Sequence, residues 1–333
     1  MTILVTGGAG YIGGTVAQRL LDVGREVVIF DNLSHAKRSL LPAGAEFVHG
    51  ELADRAALDD LLRRRKFDGV MHFAALIEAG ESMRKPEIYF RNNTASTLTL
   101  LEAMLSSGVQ KLVFSSTAAV YGQPEQTPIT EDAPLAPTNA YGESKLLVEH
   151  MLTWLNRVHG FRYASLRYFN VAGAIEGRGE AHEPESHLIP LILDVALGRR
   201  AAIKIFGQDY PTPDGTCIRD YVHVEDLAEA HLLAFHALDS HDRLIYNLGN
   251  GEGFSVREVV ESARRVTGHA IPVEELPRRP GDPAVLIASS DRIRRELGWQ
   301  PRFDRLDAIV ASAWTWHQQR YLPPAAYLQG VEG

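Results

Sequence analysis

The segment Gly8-Ala9-Gly10-Tyr11-Ile12-Gly13 constrains the fold more than any other. It stands between a short β-branched run, Ile3 to Thr6, and a helical repeat of Ile12, Val16 and Leu20 that stops at Gly24. In such a strand-to-helix turn, glycine lets the backbone approach a bound anion, and the helix N-terminus adds N–H donors and positive potential. Gly7, Gly10 and Gly13 repeat the theme at three-residue spacing. The turn is therefore expected to cradle a pyrophosphate, with Gly7, Gly10, Tyr11, Ile12 and Gly13 at the ligand. Asp31 closes the next predicted strand, 18 residues after Gly13. A carboxylate there binds adenosine ribose hydroxyls and repels a 2′-phosphate, which favours NAD over NADP.

The same alternation continues through the first 170 residues. Predicted strands are Glu26 to Phe30, Glu46 to His49, Gly69 to Phe73, Lys111 to Ser115 and Tyr163 to Arg167, separated by helical stretches that include Asn93 to Ser107 and Tyr141 to His159. Leu98, Leu101 and Leu105 are expected on one face of the first of these helices, and Gly108 ends it. Strands alternating with helices imply an α/β fold built on a doubly wound parallel sheet, Rossmann-like, with the ligand at the carboxyl ends of the strands. The polar stretch Ala174 to Ser186 reads as a long loop. A domain change is accordingly expected near residue 170: 1–170 for the cofactor, and 171–333 mainly a smaller α/β substrate-binding lobe, with some elements returning to the first sheet.

Composition narrows the class. With 45% apolar and 23% charged residues, the chain is that of an ordinary globular protein. The net charge of −8 disfavours nucleic acid and anionic lipid as partners. No apolar run reaches the length of a membrane span, and cytoplasm is the expected location. The 13 histidines and the single cysteine, Cys217, form no metal-ligand spacing, so no metal is expected. His72, on a predicted buried strand, reads as a core histidine. Arg63-Arg64-Arg65-Lys66 reads as a solvated helix end.

Tyr141-Gly142-Glu143-Ser144-Lys145 sets a phenol and an ammonium one helical turn apart, on one face. The pair follows a predicted strand that ends Ser115-Ser116-Thr117. A free phenol has a pKa of roughly 10, so a base near neutrality needs a shift of roughly 3 units. A nearby Lys145 and a nicotinamide cation can both stabilise the phenolate. Thr117 can hydrogen-bond the same substrate oxygen, which makes Tyr141, Lys145 and Thr117 the candidate catalytic residues.

These motifs, with His72-Phe73-Ala74-Ala75, Val120-Tyr121-Gly122 and Arg167-Tyr168-Phe169-Asn170, resemble the extended short-chain dehydrogenase/reductase family from Thr2 to about Trp316. Phe206-Gly207-Gln208-Asp209, Arg219-Asp220-Tyr221 and Arg279-Pro280-Gly281-Asp282 narrow the resemblance to its UDP-glucose 4-epimerase branch. The resemblance implies NAD over the glycine turn, with Asp31 and Asn32 at the adenosine ribose and Glu51 and Leu52 at the adenine. Phe73, Ala74 and Ala75 would line the cofactor, with Asn92, Ser115 and Tyr168 near it and Lys145 at the nicotinamide ribose. It implies a UDP-sugar held by Phe169, Asn170, His187, Leu188, Phe206, Arg219, Tyr221, Arg279 and Asp282, with Leu286 beside the sugar. A homodimer paired through helices 93–107 and 141–159 is a further implication.

The implied activity is NAD-dependent 4-epimerisation of UDP-glucose and UDP-galactose through a 4-keto sugar, with Tyr141 taking the 4-hydroxyl proton. Alternatives are a 4-epimerase that prefers UDP-xylose and UDP-arabinose or UDP-N-acetylhexosamines, and a non-catalytic NAD-binding regulatory protein. A 4,6-dehydratase is disfavoured, because Ala118-Ala119 follow Thr117 where such relatives carry an Asp-Glu pair. The chain departs from the branch pattern at Glu51-Leu52, at Ile77 in place of a lysine, at Ser186-His187 in place of an Asn-Asn pair, and at Leu286 in place of a tyrosine.

Overall fold

A computed structural model describes residues 1–279 and 282–322. Pro280 and Gly281 of the Arg279-to-Asp282 motif lie outside the described residues, as do residues 323–333. The opening run becomes β1 (Thr2–Thr6), buried at every position, and the glycine turn leads into α1 (Tyr11–Asp22). There follow β2 (Glu26–Asp31), β3 (Glu46–His49), α2 (Arg55–Arg64), β4 (Gly69–His72) and the single-turn helices α3 (Ala79–Ser82) and α4 (Pro86–Tyr89). The series continues with α5 (Ser96–Ser107), β5 (Lys111–Thr117), α6 (Ala140–His159) and β6 (Arg162–Tyr168).

The second half adds β7 (Asn170–Ala172), β8 (Ala174–Ile175), β9 (Arg178–Gly179), α7 (Leu188–Ala196), β10 (Ile203–Phe206), β11 (Ile218–His223) and α8 (Val224–Ala237). It ends with β12 (Arg243–Leu248), β13 (Gly253–Ser255), α9 (Val256–Thr267), β14 (Val273–Leu276), β15 (Val285–Leu286), α10 (Asp291–Leu297) and α11 (Leu306–Tyr321).

The chain divides into two compact units. The first comprises Met1–Tyr168, Ala228–Leu248 and Ser289–Trp299; the second comprises Phe169–Leu227, Gly249–Ala288 and the chain from Gln300. In the first unit, seven parallel strands run in the order β12-β6-β5-β4-β1-β2-β3. This is the doubly wound sheet. Its order reverses between β1 and β4, so their carboxyl ends open a crevice where ligands of such sheets bind. Strand residues Leu4, Val28, Val70 and Leu112 share one core with helix residues Leu58, Leu101, Met104 and Leu152. Burial on both sheet faces explains why the strands read as continuous apolar runs.

Two local expectations needed correction. The helix expected from Asn93 begins as a π-helical turn, Phe90–Ala95, and becomes α-helical only at Ser96. Leu101 is fully buried, whereas Leu98 is 42% exposed and does not share its environment. The stretch Ala174 to Ser186 is not all loop, because β8 and β9 form an antiparallel hairpin. Gly177 turns it with φ +68°, and two-residue strands are too short to reveal alternation in sequence.

In the second unit β11 pairs with β7, β13 and β15, and β10 pairs with β14. Ile189, Ile192 and Leu193 of α7, Val259 and Ala263 of α9, and Ile309, Val310 and Trp314 of α11 make its core. No helix among the described residues is long and apolar enough to cross a membrane.

Candidate active site

The glycines of the first turn divide by what each does. Gly7 has φ +72°, and a Cβ there would lie 2.4 Å from the Ala74 backbone nitrogen. At Gly13 a Cβ would lie 2.4 Å from the Gly7 carbonyl oxygen, so these two serve the chain's own packing. Gly10 differs, because its Cβ would meet only the Gly7 oxygen, at 3.4 Å. It caps α1 without a side-chain hydrogen bond, and no acid stands in the first turn. Glycine at that place leaves room for an outside group at a helix N-terminus, which suits a pyrophosphate. Tyr11 and Ile12 form the first turn beside it.

Asp31, at the end of β2, is held to face this turn. Its Oδ2 accepts from the Ala9 N–H (3.1 Å) and its Oδ1 from the Leu33 N–H (2.8 Å). Asn32 Nδ2 donates to both oxygens of Glu51 (3.1 and 3.0 Å), and Leu52 packs against the core beside them. Across the crevice, the Phe73 N–H donates to the Thr6 carbonyl (2.9 Å), which sets Phe73, Ala74 and Ala75 beside the glycine turn. His72 is indeed a core residue, between the hydroxyls of Thr6 (2.6 Å) and Thr97 (2.8 Å). Burial first, and the charge of Lys145 second, lower its pKa to about 3, so it stays neutral.

Helix α6 begins where the sequence tells it to. The Asn139 side chain caps it by accepting from the Gly142 N–H (2.8 Å), and the Tyr141 N–H donates to Ser82 Oγ (3.1 Å). The Tyr141 phenol hydrogen-bonds the Thr117 side chain, and Lys145 Nζ donates to the Ser115 carbonyl oxygen (2.8 Å) over the Phe114 ring. The helix and the end of β5 thus bring Tyr141, Lys145, Ser115 and Thr117 together.

Electrostatically the cluster departs from expectation. Burial raises the Tyr141 pKa, opposed by the Thr117 hydrogen bond, and burial lowers that of Lys145 to about 7. The chain's own groups do not make Tyr141 a base near neutrality.

Three residues that sequence reasoning missed hold this cluster. Asn93 Oδ1 accepts from the Leu76 N–H (2.8 Å), and its Nδ2 donates to the Leu76 carbonyl (2.9 Å) and to Ser144 Oγ (3.1 Å), tying the segment after β4 to α6. Neighbouring Asn92 donates to the same Asn93 Oδ1 (2.9 Å). The available signal was an Asn-Asn pair at the start of a predicted helix, and π-turns of this kind cluster at functional sites. Glu149, one turn beyond Lys145, pairs with Arg167 of β6 (2.6 Å) and accepts from Ser116 Oγ (2.6 Å), with both charged side chains almost fully buried. The third is His231 of α8, hydrogen-bonded to the Tyr168 phenol at the end of β6.

Apart from Tyr141 and Thr117, the residues expected at the UDP-sugar lie in the second unit. Asn170 Nδ2 donates to the Asp220 carbonyl (3.2 Å). His187 precedes α7 and contacts Glu185 Oε1 through Nδ1 (2.7 Å), with Leu188 first in the helix. Arg279 stacks over Phe206 with its guanidinium 3.8 Å from the ring centre. Arg219 pairs with Asp282, so two expected contacts engage each other. Leu286 lies in register beside Arg219, and Tyr221 is buried in the core. Phe169 is the half-buried residue between β6 and β7. Among the described residues no group of histidines, cysteines and acids could hold a metal ion.

Residues 3–249 match the NAD dependent epimerase/dehydratase family. A UDP-glucose 4-epimerase of Streptomyces lividans is 58% identical over 316 residues, 94% of this chain and 95% of its own. Another, from Halalkalibacterium halodurans, is 52% identical over 96% of each chain. Among solved structures, a UDP-glucose 4-epimerase superposes with TM-score 0.94 at 50% identity, covering 96% of this chain and 98% of that one. An epimerase from Stenotrophomonas maltophila with bound NAD and formylated UDP-arabinopyranose superposes with TM-score 0.93 at 40% identity, over 96% and 98%. With the glycine cradle, the Asp31 anchor and the Tyr141 cluster on one doubly wound sheet, the chain belongs to the NAD dependent epimerase/dehydratase family.

Proposed function

We propose that Tyr141, assisted by Thr117 and Lys145, exchanges the proton in a nucleotide-sugar epimerisation. The activity is NAD-dependent 4-epimerisation, which interconverts UDP-glucose and UDP-galactose. NAD, held over the Gly10 turn by Asp31, Asn32 and Lys145, would supply reversible hydride acceptance at sugar C4 when bound. Tyr141 removes the 4-hydroxyl proton and later restores it, while Thr117 holds the same oxygen. Lys145 holds the nicotinamide ribose, and Asp31 and Asn32 hold the adenosine ribose. The observation that carries these roles is the joint placement of Tyr141, Thr117, Lys145 and Ser115 at the carboxyl end of β5.

The first unit serves NAD, and the second holds the nucleotide end of the substrate. There Arg219, oriented by Asp282, and Arg279, braced by Phe206, offer guanidinium groups to the diphosphate. Asn170, His187, Leu188, Tyr221 and Phe169 complete the contacts that the family resemblance implies. The chain acts in the cytoplasm as a homodimer paired through α5 and α6. Leu98, Trp154 and Val158, respectively 42%, 62% and 66% exposed, supply the exposed apolar surface that supports this.

Replacing Tyr141 by Phe tests the assignment. It should leave NAD and UDP binding nearly intact and lower kcat by at least about two orders of magnitude, the scale of a lost general acid–base. A loss below tenfold would mean that another group carries the proton. A second reading, acceptance of UDP-N-acetylglucosamine beside UDP-glucose, rests on Leu286. It is half-buried beside Arg219, where a tyrosine would fill more space.

A further inference from the structure

Two phenols share the catalytic cluster, and only one can be the group that exchanges a proton with the sugar. Tyr168 stands at the end of β6, in register with Thr117 of β5. Its phenol lies beside the Ser115 side chain and close enough to feel the charge of Tyr141. On its other side it meets Nε2 of His231, whose side chain is fully buried. The His231 ring lies 5.4 Å from the Tyr168 ring and 5.0 Å from that of Phe73, so it is held between two residues that flank the crevice. Ser115 in turn accepts from Lys145 Nζ through its carbonyl oxygen (2.8 Å). Within the first unit, Lys145 and Tyr168 thus both reach Ser115, one at its backbone carbonyl and the other at its side chain, and the Tyr168 phenol ends on the His231 imidazole.

The direction of the Tyr168 proton follows from donor and acceptor strength. A phenol is the stronger donor of the Tyr–His pair, and an imidazole nitrogen is a better acceptor than a serine hydroxyl. The Tyr168 proton points to His231, and the Ser115 hydroxyl donates to Tyr168. We propose that His231 is a positioning residue for the reaction: by accepting the Tyr168 proton, it commits that phenol and leaves Tyr141 as the one phenol free to exchange a proton. Burial pushes the Tyr168 pKa well up, in keeping with a phenol that keeps its proton throughout. Without His231 the Tyr168 hydroxyl turns to Ser115 and Tyr141, and the two phenols titrate as a coupled pair.

This inference rests on Tyr141 as the proton-exchanging group, so Tyr141→Phe accompanies the test. Four variants of the NAD-loaded enzyme, His231→Leu, His231→Gln, Tyr168→Phe and Tyr168→Phe/His231→Leu, are assayed with UDP-galactose across pH 5.5 to 9.5. His231→Leu should lower kcat roughly tenfold, the scale of one hydrogen bond to a buried polar group, with KM within about twofold. Its kcat–pH profile should shift by about one unit. Glutamine, which places an acceptor oxygen near the Nε2 position, should restore most of kcat and the profile. Tyr168→Phe alone should keep the wild-type profile, since no second phenol remains to couple with Tyr141, and adding His231→Leu to it should cost nothing more.

Additive losses in the double variant, a wild-type profile in His231→Leu, or a shifted profile in Tyr168→Phe would overturn the proposal. If His231→Leu fails to fold or to retain NAD, the Tyr168→Phe and His231→Gln profiles decide the matter alone. An active Tyr141→Phe enzyme would overturn the underlying assignment; an inactive one with unaltered His231 variants would overturn only the role given to His231.

Discussion

Lys145→Met is expected to stabilise the fold while abolishing activity, and the gain should depend on pH in a defined direction. Burial lowers the Lys145 pKa from 10.5 to about 7. Between those values the unfolded chain binds a proton that the folded chain does not, so the cost of burying the lysine falls as pH rises. Below pH 7 that cost is fully present, about 5 kcal/mol for a shift of 3.5 units; at pH 9 it is about 2 kcal/mol. Methionine keeps the apolar stem and never takes a charge. It gives up the bond from Nζ to the Ser115 carbonyl, worth about 1 to 2 kcal/mol at every pH. The variant should therefore be about 3 kcal/mol more stable than the parent at pH 6 and nearly equal to it at pH 9.

The measurement is urea unfolding of both proteins stripped of NAD, since bound cofactor adds its own stabilisation. Hydrogen exchange of β5 and α6 amides would report on the first unit alone. The decisive quantity is the change in the stability difference, about 2 to 3 kcal/mol between pH 6 and pH 9. A difference that stays constant, or widens as pH rises, would refute the reasoning that burial of this ammonium is paid for by stability.

Other expectations follow from single contacts. Gly10→Val should leave the melting temperature of NAD-free protein within a few degrees and abolish NAD retention, because its Cβ meets only one atom of the chain. Gly13→Ala, whose Cβ would lie 2.4 Å from the Gly7 oxygen, should lower both; equal effects of the two on the NAD-free protein would contradict the division between packing and ligand glycines. Leu286→Tyr should suppress turnover of UDP-N-acetylglucosamine selectively, by roughly 1 to 3 kcal/mol in kcat/KM, and an equal loss for UDP-glucose would place Leu286 away from the sugar. Val158→Asp, on the exposed face of α6, should turn a sedimenting dimer into a monomer, and a parent that sediments as a monomer at micromolar concentration would dismiss the dimer altogether.

Short-range order was legible in this sequence, and long-range pairing was not. The strand–glycine–helix opening, the limits of β3, and the one-turn spacing of Tyr141 and Lys145 all follow from residues within a few positions of one another. Backbone propensity, capping and side-chain periodicity act over that distance. The structure alone decided that Asn93 ties Leu76 to Ser144, that Glu149 meets Arg167, and that His231 closes on Tyr168. It also decided that Leu98 faces outward and that β12 becomes the outer neighbour of β6. Each of these depends on which elements become neighbours in the sheet, and no local pattern reports that. The electrostatics belong to the same class: the spacing of Tyr141 and Lys145 names the pair, but the desolvation that raises one pKa and lowers the other exists only once tertiary packing has removed water from around them.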